Sequence, residues 1–483
     1  MAPSLERASY KVTFAVLVLG VAAYALLQSL VIPALTTIQV DLHSTQNTVT
    51  WVVTAYLLSA SIFTPVLGRL GDMVGKERMM VVALGSLALG SLVAALAHSV
   101  LVLIIGRAIQ GIGGGVLPLA FGIIRDEFPR DKLAGAIGTM AALTAVGGGL
   151  GLVVAGPILS TLGFHWLFWL PLILTSVAAL LTHFLVPESP VRVAGTISFP
   201  GVALLSLWLV ALLLGVSEGP VWGWHSTRVV GLLLAAVVLI VLWVFVEARS
   251  SDPVVDMRMM RVPAVWTNNL VSFLFGMGMY SVMAFLPEFL QTNKSLAGYG
   301  FSASTNASGL FLLPMTACMF FVGLYTGTIA ARFGSKTAVI LGSCVSTGGY
   351  LVLALVHHHA IDIYAGSALL GVGLGLAFSA MSNLIVQAVP PSQTGVASGM
   401  NANIRTIGGA VGAGVASSIV TAKVLANHYP AESGYTHAFL FMAACTVIAA
   451  LAAVVIPTAT PDHATHLHHA ELASIPGGTL TEG

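Results

Sequence analysis

Stretches of about twenty apolar residues, each closed off by a short polar segment, recur from the beginning of this 483-residue chain almost to its end. A helix rises about 1.5 Å per residue, so roughly 20 apolar residues carry it across the ~30 Å hydrocarbon core of a bilayer. Such runs lie near 12–34, 48–67, 79–97, 100–122, 133–159, 164–186, 200–217, 228–246, 264–290, 306–329, 336–356, 363–387, 396–421 and 437–457. The pattern predicts an all-α membrane protein with about fourteen transmembrane helices and no sizeable soluble domain. Composition agrees, with 57% hydrophobic and 8% charged residues; a soluble domain carries about a quarter charged. The first run is too long for a signal-peptide core and lacks a small-x-small cleavage site, so it reads as a retained helix.

Loop charge sets the orientation, because Lys and Arg of short loops collect on the cytoplasmic side. With the N-terminus inside, only Arg228, Lys294 and Lys423 lie outside, and Arg107 and Arg405 lie within helices. Every other basic residue then faces the cytoplasm, which predicts an even number of spans, both termini cytoplasmic, in the inner (cytoplasmic) membrane. A net charge of +1 favours no polyanionic partner such as nucleic acid. Cys318, Cys344 and Cys445 sit apart inside apolar runs and read as core residues. His357, His358 and His359 fall in an outer loop, and His463, His466, His468 and His469 in a polar tail. Such tracts can bind metal, but a solvated tail is the better reading, and neither a metal nor a cofactor is expected.

The chain repeats itself. GRLGDMVGKER at 68–78 resembles GTIAARFGSKT at 327–337, and GTMAALTAVGGGLG at 138–151 resembles GMNANIRTIGGAVG at 399–412. Gly111, Gly113 and Gly115 likewise pair with Gly371, Gly373 and Gly375. Segments in one order at nearly one offset predict duplicated six-helix bundles, at 1–190 and 263–460. Residues 191–262 then hold two extra linker helices and a cytoplasmic loop, and 461–483 a disordered cytoplasmic tail. Related bundles with a site between them are the architecture of carriers that rock one half against the other.

These segments carry a resemblance. The chain up to about 457 is similar to the major facilitator superfamily, in its fourteen-span drug/proton antiporter branch. GRLGDMVGKERM resembles the superfamily's signature between its second and third helices, which implies a charge latch built from Gly68, Asp72, Gly75, Lys76 and Arg78. LIIGRAIQGIGGG resembles the fourth-helix signature, with Arg107 one turn before Gly111. The fifth helix resembles the antiporter signature in Gly147, Gly148, Gly151, Gly156 and Pro157, although its Pro is displaced. Where the branch carries an Asp in its first helix, this chain has Tyr24, and no acid lies between Lys11 and Asp41.

A charge at helix-centre depth costs about 2.5–3.5 kcal/mol or more, so an intramembrane ionisable residue is a functional candidate. Arg107 is either a structural cation, satisfied by carbonyls and by Gln28 or Gln110, or a fixed charge that tunes a proton carrier. Arg405, near mid-membrane with Asn401 and Asn403, suggests a polar cavity wall or polar neighbours capped inside the bundle. Glu288, in FLPEFLQ, is read as the one carboxylate inside a span; it is a proton carrier in a wet pocket beside Pro287, or ordinary charge facing the outer solution. Asp126 and Glu127 read as loop ion pairs. Trp51, Thr54 and Tyr56 are candidates to line a cavity, and Trp222 and Trp224 fit an interfacial belt. The glycines of 147–151 permit close helix packing, with or without a role in helix sliding.

Energy sources narrow as well. GDMVGKE fails as a phosphate loop, since Glu77 stands where Ser or Thr should follow the Lys. Neither an HExxH zinc site nor a GxSxG elbow occurs, so an enzyme is not expected. The expected function is secondary active export of small amphiphilic molecules, such as drugs or antibiotics, by alternating access in exchange for protons. Membrane lipids are the surroundings, and a monomer is the expected functional unit. The alternatives are a dedicated lipid or secondary-metabolite exporter and, from another class, a non-transporting membrane sensor.

Overall fold

The computed structural model describes residues 9–189, 198–425 and 429–457. The expected tail at 461–483, with its histidines, lies outside the described residues. Within them the chain forms fourteen long helices: α1 Tyr10–Leu30, α2 Gln46–Val74, α3 Lys76–Ala95, α4 Val100–Glu127, α5 Arg130–Thr161, α6 Trp166–Leu185, α7 Phe199–Trp222, α8 Thr227–Arg249, α9 Pro263–Gln291, α10 Thr305–Phe333, α11 Ser335–Leu355, α12 Ala360–Ala388, α13 Thr394–Val420 and α14 Glu432–Val455. All but α13 are apolar and long enough to cross a membrane. α13 is long enough too, but it carries Asn401, Asn403 and Arg405, all buried.

Caps finish the helices where the chain re-enters the apolar layer. Thr45, Ser99, Ser198, Ser226 and Ser304 each accept a hydrogen bond from a first-turn N–H, at α2, α4, α7, α8 and α10. Such bonds satisfy donors that have no partner within the helix. α4 is interrupted by a tight 3-10 turn at Gly113–Gly115.

Two six-helix bundles, α1–α6 and α9–α14, meet along two seams, where α5 packs on α10 and α2 on α13. The repeated segments explain why there are two. The sequence duplication matches α2 with α10 and α5 with α13, so the seams are copies of one another. At one, a Cβ on Gly68 would lie 2.6 Å from the Gly395 carbonyl oxygen; at the other, a Cβ on Gly327 would lie 2.5 Å from the Gly135 Cα. The same symmetry orders the bundle interiors. Gly111 and Gly115 press on α2 while Gly371 and Gly375 press on α10, and Gly113 meets α3 as Gly373 meets α11.

The expected loop at 68–78 is almost entirely helical. α2 runs through Asp72 to Val74 and α3 starts at Lys76, with Gly75 alone between them at φ +132°. Gly334 joins α10 to α11 in the same way at φ +85°. Only glycine adopts such positive φ without strain, which is why both copies keep it. Gly68 is needed for close approach rather than for a turn.

The extra pair sits outside this frame. α7 packs against α2 and α13, while α8 packs mainly on α7 and turns Leu234, Val237, Val241 and Phe245 outward. Trp224, expected with Trp222 in an interfacial belt, donates a 2.8 Å hydrogen bond from its indole N–H to Ser418 Oγ of α13.

The glycines of α5 divide by face. Gly147 and Gly151, one turn apart, lie against Ala25, Leu26 and Ser29 of α1, and the Ser29 hydroxyl donates to the Gly147 carbonyl at 2.9 Å. Gly149 faces Thr316 of α10 across the seam, and Gly148 faces open space. In the other bundle Gly408 and Gly412 press on Phe273 and Met277 of α9 in the same pattern. Gly408→Leu forces side-chain volume into backbone, an overpacking that costs about 1–3 kcal/mol or more. It should lower the thermal unfolding midpoint of the detergent-solubilised protein by several degrees, whereas Gly148→Ala should leave it unchanged or slightly raised.

Candidate functional site

Near the end of the molecule marked by Gly75, a buried charge network ties the bundles together. Asp72, 1% exposed, projects from the last turn of α2 into the first turn of α13. There its Oδ2 accepts the Val396 N–H at 3.3 Å. A carboxylate at a helix N-terminus satisfies unpaired N–H groups and meets the positive end of the helix dipole. Lys76, also buried, sits one turn on, with its Nζ 3.8 Å from Asp72 Oδ1 and 2.7 Å from Asp126 Oδ2. Ser189 donates a short hydrogen bond to the same Asp126 oxygen. Asp126 is therefore a buried partner inside the fold and not a loop charge, because α4 continues through it.

Arg78 stands apart from this seam. It is exposed and lies 3.4 Å from Glu188, so among its described contacts it belongs to the first bundle alone. Arg125, which sequence reasoning placed only as a cytoplasmic cation, does cross. Its Nη1 donates to the Val386 carbonyl at the end of α12 and, at 2.7 Å, to Thr394 Oγ1 at the start of α13. Asn383 donates to the Ala134 carbonyl at 3.2 Å, Ser379 to the Gly138 carbonyl at 3.1 Å, and Asn403 to the Ser61 carbonyl at 2.6 Å. These interbundle bonds fall in the half of the helices nearest Gly75 or close to mid-length, so that end is closed.

Deeper in the first bundle, Arg107 is held by two hydrogen bonds and a ring contact. Its Nε donates to the Val52 carbonyl at 3.1 Å, its Nη1 donates to Gln110 Oε1 at 2.7 Å, and the guanidinium lies 4.2 Å from the Tyr56 ring centroid. Gln110 in turn donates to Ser91 Oγ at 2.8 Å. Gln110, not Gln28, is the partner, and Gln28 and Trp51 remain half-buried on α1 and α2. In the second bundle Asn401 donates to Asn269 Oδ1 at 2.8 Å and Ser272 Oγ at 2.9 Å, holding α13 to α9. Arg405 stacks over the Phe378 ring with 4.3 Å to its centroid.

Glu288 occupies the last turn of α9, exposed, and accepts a hydrogen bond from the Tyr435 hydroxyl at 2.9 Å. It is not the only carboxylate on a long helix. Glu218 in α7 and Glu247 in α8 are both buried, and Asp72 lies in α2. Elimination misled because α7 and α8 continue past the expected ends at 217 and 246. The described contacts of Arg107 come from α2 and α4, and that of Glu288 from α14, so the two are not brought together. Gly156 is buried and Pro157 exposed within α5.

The geometry now has context among known proteins. The curated relatives include the multidrug transporter protein MdtP of Bacillus subtilis, 28% identical over 77% of this chain and 69% of its own length. The tetracenomycin C resistance and export protein of Streptomyces glaucescens is 26% identical over 85% of this chain and 76% of that protein. Among solved structures, the human organic anion transporter MFSD10 aligns with a TM-score of 0.67 at 16% identity, covering 92% of this chain and 99% of that one. The proton:xylose symporter XylE aligns at 0.65 and 14%, covering 93% and 96%. These two establish a shared fold. The profile of the Major Facilitator Superfamily matches residues 17–413, and with its paired bundles and glycine-lined seams the chain belongs to that superfamily of membrane transporters.

Proposed function

We propose that this chain is a secondary exporter of small amphiphilic molecules such as drugs or antibiotics, working by alternating access in exchange for protons. The observation that carries the reading is the seam at Asp72, where one bundle's carboxylate caps a helix of the other. A bond of that kind is strong when the seam is dry and is exchanged for water when it opens. The named relatives act on drugs and antibiotics, which supports the cargo class. Cargo crosses unmodified, with a monomer in lipid as the working unit.

The sorting of basic residues supports a cytoplasmic location for both termini and for the Gly75 end, which makes the described state closed to the cytoplasm. A reporter fused after residue 261 should read cytoplasmic and one inserted at 357–361 external; residue 261 found outside would overturn this orientation.

Asp72, Lys76, Asp126 and Arg125 are the latch in this reading, with Gly68 and Gly75 allowing the approach. Removing one partner of a buried charge network costs about 3–5 kcal/mol, enough to shift an access equilibrium by well over tenfold. Asp72→Asn keeps the shape and loses the charge. It should reach the membrane at normal levels and slow export at least about tenfold; export at the wild-type rate would remove the latch from the mechanism.

Glu288, with Tyr435, is the proposed proton-linked carboxylate at the outer end, and Arg107 supports coupling only indirectly, by fixing α2 against α4. In liposomes under an imposed pH gradient, Glu288→Gln should lose uphill accumulation while keeping substrate exchange. Continued accumulation against the gradient would sink the assignment, and a wild-type protein unresponsive to the pH gradient would sink proton coupling altogether.

A further inference from the structure

Arg405 stands about 17 Å along α13 at 1.5 Å per residue, near mid-membrane, and is 8% exposed. Its guanidinium has five N–H donors, yet among the described residues it makes no hydrogen bond and no ion pair, only the stack on Phe378. Arg107, at comparable burial, is tied to a carbonyl and an amide. The contrast matters because an ionisable side chain at this depth is a functional candidate, and the Arg405 donors are not taken by the protein as two of those of Arg107 are.

Residues of both bundles converge on it. Tyr24 of α1 and Tyr280 of α9 lie within electrostatic reach of the guanidinium, and the Tyr280 ring packs on Gly409, one turn along α13. Both tyrosines are half-buried. On its other side, a void of about 10 Å³ is bordered by Asn401, Ser398 and Ser382, room for one water at most and far fewer acceptors than five donors need.

Among the described residues, the carboxylates of the surrounding helices lie toward the helix ends, Glu218 near the end of α7 included. Asp72, Asp126 and Asp131 lie at one end of α2, α4 and α5; Glu288 and Asp362 lie at the opposite end, on α9 and α12. The middle of the interbundle region thus holds Arg107, tied by two hydrogen bonds, and Arg405, with none, and no negative counterpart among the described residues. At the low effective dielectric of a protein interior, an uncompensated guanidinium acts strongly on a charge a few ångströms away. That repels a cationic cargo and attracts an anionic one.

We propose that Arg405, stacked on Phe378 beside the Tyr280-packed turn of α13, receives the anionic group of the cargo, so that this carrier selects organic anions with an aromatic or apolar body over organic cations. The guanidinium fork suits a carboxylate, and the aromatic rings suit the flat body beside it. The inference rests on the transporter reading but not on its energy source.

Equilibrium binding to the purified detergent-solubilised protein tests it without transport. The probes are 9-anthracenecarboxylate and 9-anthracenemethylammonium, matched fluorophores of opposite charge, followed by fluorescence anisotropy. The carboxylate should bind at least tenfold more tightly than the ammonium. Arg405→Gln should weaken carboxylate binding at least tenfold, and Arg405→Lys should retain part of it. Equal or tighter binding of the ammonium by the wild-type protein, or no saturable carboxylate binding, overturns the proposal without any variant having to fold. So does a monodisperse Arg405→Gln protein with wild-type carboxylate affinity. Anion-selective binding together with failed pH-driven export would instead retire the proton-coupled reading and leave this one standing.

Discussion

Where α2 meets α13, and where α5 meets α10, the backbones approach so closely that Gly68 against Gly395 and Gly327 against Gly135 leave no room for a methyl group. Within lipid no hydrophobic force pulls helices together, and association comes from close packing and interhelical polar contacts. The seams supply the first and make the second possible. Only when the backbones nearly touch can the Asp72 carboxylate reach the Val396 N–H, or the Asn403 amide the Ser61 carbonyl. The polar latch depends on the glycine approach.

The fold is twofold but its charge is not. By the repeat offset Ala331 occupies the place of Asp72, so among the described residues one seam carries this ionic network and its twin does not. Burying ions is costly and is repaid only when every partner is present. Asp72, Lys76, Asp126 and Ser189 come close to that condition: Asp72 Oδ1 alone has no hydrogen bond, only Lys76 Nζ at 3.8 Å, and the group lies at the helix ends, where opening brings water to it. A seam that must open and reclose is best held by groups that water can also satisfy.

How much of this could be read from sequence differs by feature, for physical reasons. Span number and repeat were legible because bilayer thickness fixes run length and close approach fixes glycine. Helix ends were not, since hydropathy falls before the helix stops; Glu218, Glu247 and Asp72 were therefore taken as outside the spans, and Glu288 gained a uniqueness it lacks. Arg125 was missed because its described partners, the Val386 carbonyl and Thr394 Oγ1, lie in the other bundle. A backbone carbonyl leaves no mark in composition. For Arg107 both readings were available, and only coordinates show Val52 and Gln110 taking its donors.

α13 gathers these themes, because its polar residues divide their allegiance. Asn401 and Arg405 are four apart and share a helix face, whereas Asn403, two residues from each, points the opposite way. Asn401 bonds α9 of its own bundle, and Asn403 bonds α2 of the other. When the bundles rock, the Asn403 bond must break while the Asn401 bonds can persist. Arg405, on the Asn401 face and stacked on Phe378 of α12, moves with the second bundle, while Tyr24 belongs to the first. A ligand held on Arg405 would therefore stay with one bundle as the other swings away, and its contacts to first-bundle residues, such as Phe121 at the void beside Arg405, would be the ones that differ between the two access states.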